Sequence, residues 1–74
     1  MFETELNYFI DHQDELVAKH GGATLILKGA EVVGVYKTPL TAFLEARKRF
    51  DPGTFMLQPC EPGSDAYTVK LANF

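Results

Sequence analysis

The apolar positions change period along the chain. Phe2, Leu6, Phe9, Ile10, Val17 and His20 fall at helical spacing, with Gln13 and Leu16 beside that stripe, and predict a helix over residues 3–19. "DHQD" at residues 11–14 offers an N-cap with an acid three positions later, so a new helix start there stays open. Lys19 and His20 suit the carbonyl end of a helix, and Gly21 or Gly22 can adopt the left-handed conformation that closes it.

After this helix the period shortens to two. Ala23 to Lys28 and Glu31 to Lys37 read as strands joined by Gly29-Ala30. A two-residue hairpin loop needs a primed turn, and glycine before alanine selects type II′. That turn sets Lys28 opposite Glu31, Leu27 opposite Val32, Ile26 opposite Val33 and Leu25 opposite Gly34. One face then carries Ala23, Leu25, Leu27, Val32, Gly34 and Tyr36. The other carries an aliphatic centre of Ile26, Val33 and Val35 between charged ends.

Thr38 as N-cap, Pro39 at the first helical position and the stop Asp51-Pro52-Gly53 frame a second helix. Leu40, Phe43, Leu44, Arg47 and Phe50 form its stripe, with Ala46 alongside. "TFMLQPC" reads as a third strand ending at Pro59, "EPGSDA" as a turn and "YTVKL" as a fourth strand. The expected fold is α+β with order α-β-β-α-β-β. A simple solution is an antiparallel sheet of spatial order 2-1-3-4 with both helices on one face, although strand three can instead pair with strand two. With both helices on one face, Ile26, Val33 and Val35 form a candidate interaction patch on the other. One parity of strand three joins them, either Met56 and Gln58 or Phe55 and Leu57. Two readings stand open: an interface, or a cluster covered by the Lys28 and Lys37 stems or the C-terminal tail.

The 74 residues fit one small domain, and its stability rests on packing or partly on oligomerisation. Hydrophobic content of 46% argues against disorder. The net charge of −3 disfavours nucleic acid and anionic membrane as partners. No apolar run is long enough for a signal peptide or a membrane span, and the lone thiol suits a reducing compartment, so a cytoplasmic location is expected.

"LKGAEVVGVYKT", "LEARKRFDPGTFMLQPCEPG" and the following "AYT" resemble a family of small uncharacterised bacterial α/β domains (domain of unknown function 5678-like) over roughly residues 22–68. Gly29-Ala30 stands where that family has Asp-Gly, and Pro39, Leu40 and Thr41 replace acidic residues at its helix start. The resemblance implies a fold and no catalytic residue.

Cys60 is the only thiol, and a catalytic role needs a base such as His20 beside it. A small side chain packed at a strand end is the plainer account. His12 and His20 are eight apart, so they make no i,i+4 metal pair, and the acids around His12 suit a solvated helix. No metal or cofactor is expected. Arg47, Lys48 and Arg49 are possible nucleic-acid contacts, but they splay around a helix and also suit its C-terminus. Tyr8, Tyr36 and Tyr67 show no partner pattern. The leading expectation is a non-enzymatic interaction module, a homodimer or a subunit of a small complex. A nucleic-acid-binding regulator and a small enzyme using Cys60 are the alternatives.

Overall fold

The Gly29-Ala30 turn forms as its chemistry requires. In the computed structural model, which describes residues 2–64 and Ala66, Gly29 has φ +62° and Ala30 does not enter positive φ. The Lys28 N–H donates to the Glu31 carbonyl at 3.0 Å, which closes the hairpin. The Glu5 carboxylate, from the first helix, accepts from the Gly29 N–H at 2.7 Å and ties helix and turn together.

The elements are α1 (Glu3–His20), β1 (Thr24–Leu27), β2 (Val32–Tyr36), α2 (Pro39–Arg49) and β3 (Met56–Pro59). The order among these strands is β2-β1-β3, and β1 pairs antiparallel with both neighbours. This is the 2-1-3 part of the expected sheet, in an α+β fold. The fourth strand expected at "YTVKL" lies outside the described residues.

α1 runs unbroken through Asp11 and ends at Gly21 and Gly22, the latter at φ +88°. α2 starts at Thr38, whose hydroxyl oxygen accepts from the Thr41 N–H at 3.2 Å, with Pro39 in the first turn.

The hairpin register departs from expectation at one residue. Leu27 pairs with Val32, but Ile26 pairs with Gly34 and Leu25 with Val35, so Val33 is an extra residue in a bulge. The inserted residue reverses every later side chain of β2. Val35 moves to the side of Leu25, and Tyr36 packs in the cluster of Ile26. The Arg49 guanidinium, from the end of α2, donates to the Val33 carbonyl at 3.1 Å. Gly34 faces Ile26 closely, and a Cβ built there would lie 2.8 Å from Ile26 Cδ1.

The helices do not share a face of the sheet, which corrects the two-layer expectation. Phe9 and Leu16 of α1 pack with Leu25, Leu27, Cys60 and Ala66 on one side. Ala42 and Ala46 of α2 pack with Ile26, Phe55 and Leu57 on the other. β1 is therefore buried on both faces, which explains why "TLIL" has almost no polar alternation. The result is three layers, with the sheet between α1 and α2. Two one-sided cores suit a chain whose hairpin is aliphatic on both faces.

Candidate interaction surface

The predicted patch of Ile26, Val33 and Val35 is not assembled as one exposed surface. Ile26 is 0% exposed beneath α2, and Val33 is half-buried against the same cluster. Val35, 38% exposed, sits opposite Leu25 on the α1 side. The physical reasons are the bulge at Val33 and the placement of α2 over the second face. Of the two parities weighed for strand three, Phe55 and Leu57 join Ile26.

α2 turns an unexpected side inward. Ala42 and Ala46, one turn apart, are fully buried, with Phe43 and Phe50 packed beside them. Alanine lets the helix backbone approach the sheet, while the aromatic rings close the flank. Leu40 and Leu44 consequently point outward, 66% and 46% exposed. At 100° per residue, Leu40, Leu44, Arg47 and Lys48 fall within one sector of the helix, opposite the two alanines. Thr41 and Glu45 flank them, and this side of α2 forms an open groove of about 430 Å³.

The sequence contained a signal for this orientation. Ala42-x-x-x-Ala46 is a rival i,i+4 stripe to Leu40 and Leu44, and small residues suit a helix laid closely on a sheet. Ranking by side-chain hydrophobicity alone places Phe43 and Phe50 correctly but wrongly turns Leu40 and Leu44 inward.

The three cations have separate local partners. Arg47 lies over the Phe43 ring at 5.5 Å, and Lys48 pairs with Glu45 at 3.2 Å. Arg49 serves the bulge carbonyl and lies over Phe50 at 5.1 Å, while Lys28 approaches that ring at 5.6 Å. Arg47 and Lys48 face outward with the leucines, whereas Arg49 turns toward the sheet.

The remaining candidates are occupied in packing. Cys60 is fully buried, and its backbone extends the β1–β3 pairing through Ala23 and Gly22. Burial pushes its thiol above the ordinary value of 9.0, and the nearby Glu61 carboxylate adds to that effect. The thiol is therefore held protonated, the opposite of what a nucleophile needs. Its stabilising effect is full below the unfolded-state pKa and lost as pH rises beyond it. We expect Cys60→Ala to flatten part of the stability loss above about pH 9. In the native protein, labelling by a disulfide reagent at neutral pH should be slow until denaturant is added. Rapid labelling of folded protein would contradict this assignment.

His12 Nδ1 lies 2.9 Å from the Tyr8 carbonyl, and its ring stacks on Tyr8 at 4.4 Å. His20 closes α1, where its carbonyl accepts from the Ala23 N–H. Tyr67 lies outside the described residues. Gln13 Nε2 donates to the Glu61 and Gly63 carbonyls, and Gln58 Nε2 donates to the Ala66 carbonyl, so two amides hold the turn after β3. Among the described residues, no buried side-chain nitrogen or oxygen lacks a hydrogen-bond partner. Among the same residues, no group of three or more His, Cys, Asp or Glu side chains is placed to hold a metal ion. None of their helices is long and apolar enough to cross a membrane.

No family model, curated protein or solved structure matches the chain, and the functional reading rests on its own side chains.

Proposed function

We propose that the protein is a non-enzymatic interaction module whose contact surface is the outer face of α2. The observation that supports this is the outward exposure of Leu40 and Leu44, one turn apart, on a helix already anchored by its opposite side. Single exposed aliphatics are ordinary, but Leu44 lines the groove and Leu40 lies exposed one turn before it on the same side of the helix. The sheet face that first suggested self-association is filled by α2, so the candidate surface moves to the outside of that helix.

Site-specific photocrosslinking in the source cells tests the reading. A photoreactive phenylalanine analogue at Leu40 or Leu44 should give a discrete adduct of increased mass. The same analogue at Asp14, exposed on α1, should not. No adduct at positions 40 and 44, a product within a single chain, or equal adducts at all three positions would overturn it.

A further inference from the structure

We propose that the outer face of α2 receives an acidic amphipathic helix from a different protein. This rests on the reading of α2 as the contact surface and names its occupant. The exposed leucines share their sector with Arg47 and Lys48, and with Glu45 beside them the charged border of this apolar ridge is net positive. A helix with aliphatic residues at i, i+3, i+4 and i+7, flanked by Glu or Asp, matches both features. Ridges of such a helix can lie in the groove beside Leu44.

Charge is segregated between the layers. α1 carries Glu3, Glu5, Asp11, Asp14 and Glu15 against Lys19, while α2 carries Arg47, Lys48 and Arg49 against Glu45. A second copy is therefore a poor occupant. Joining α2 to α2 opposes like charges. Joining the acidic α1 of one copy to α2 of the next is a head-to-tail contact, which closes into a ring only if its rotation allows and otherwise grows into a filament. Nucleic acid fits less well, because leucines occupy the middle of the surface and Arg49 is committed to the Val33 carbonyl.

Amide NMR shifts of the full chain can be followed against three probes. The first is an amphipathic peptide of about 15 residues with leucines at that spacing and glutamates around them. The second replaces every glutamate with lysine, and the third is a random DNA duplex. The acidic peptide should shift amides across residues 40–48, and its affinity should fall several-fold between about 50 and about 200 mM salt. A paired Arg47→Glu and Lys48→Glu variant changes exposed side chains, so it should stay folded and switch preference to the lysine peptide.

Absence of shifts at about 1 mM acidic peptide, equal response to both peptides, or matching shifts with DNA would overturn the proposal. If the peptide fails while Leu40 and Leu44 still crosslink to another protein, the acidic helix is wrong and the α2 interface stands. If the crosslinks fail as well, both fall.

Discussion

Replacing Ile26 with lysine is expected to unfold the protein, whereas replacing Val35 with lysine is expected to leave it folded. Ile26 is 0% exposed, and Ala42, Ala46, Phe55 and Leu57 surround it. An ammonium group there would lose its hydration with no acidic partner among those neighbours. Buried unpaired charge belongs to the class of substitutions that costs about 4 kcal/mol or more. A chain of this length has roughly 4–11 kcal/mol in total. Val35 is more than a third exposed and can direct a lysine into water, so its change should stay within about 1 kcal/mol. Circular dichroism and urea titration of both variants provide the measurement. A cooperatively folded Ile26→Lys protein of native stability would refute the placement of α2 over this face.

The second large effect lies on the other side of the sheet. Phe9→Ala should destabilise the protein by about 3–5 kcal/mol, through lost burial and the cavity left behind. Phe9 is fully buried among Leu16, Leu25, Leu27 and Cys60, whereas the adjacent Ile10 is 38% exposed. Ile10→Ala should therefore shift stability by no more than about 1 kcal/mol. Urea denaturation with the slope checked for two-state behaviour separates the variants. Comparable losses would mean that α1 is rotated from the orientation described.

Local signals in the sequence were informative where one chemistry admits one answer. Gly29-Ala30 selects its turn, Thr38-Pro39 caps α2, and Gly22 takes the left-handed conformation expected at the end of α1. The α1 stripe was largely legible because its apolar residues alternate with acids. The layer order was not. "EVVGV" carries aliphatic residues at both parities, so a one-residue slip produces no visible clash of polarity. The carbonyl of the bulged Val33 accepts from Arg49, sixteen residues away, a partner that no local pattern announces. The α2 stripe was half legible for a related reason: Phe43, Phe50 and Ala46 pack inward as expected, but close approach to the sheet favours Ala42 over the more hydrophobic Leu40 and Leu44. The candidate surface followed from that reversal, moving from Ile26, Val33 and Val35 to Leu40 and Leu44.

The alanine side of α2 also separates two kinds of change. Ala42 and Ala46 hold the helix in place, and their burial leaves no room for larger side chains. Leu40, Leu44, Arg47 and Lys48 contribute little to that anchoring, so substitutions there should act almost independently of those inside. Recognition can then drift, or be engineered, while the scaffold stays constant. A library varied at those four outward positions would sample new specificities on a helix whose seat on the sheet is unchanged.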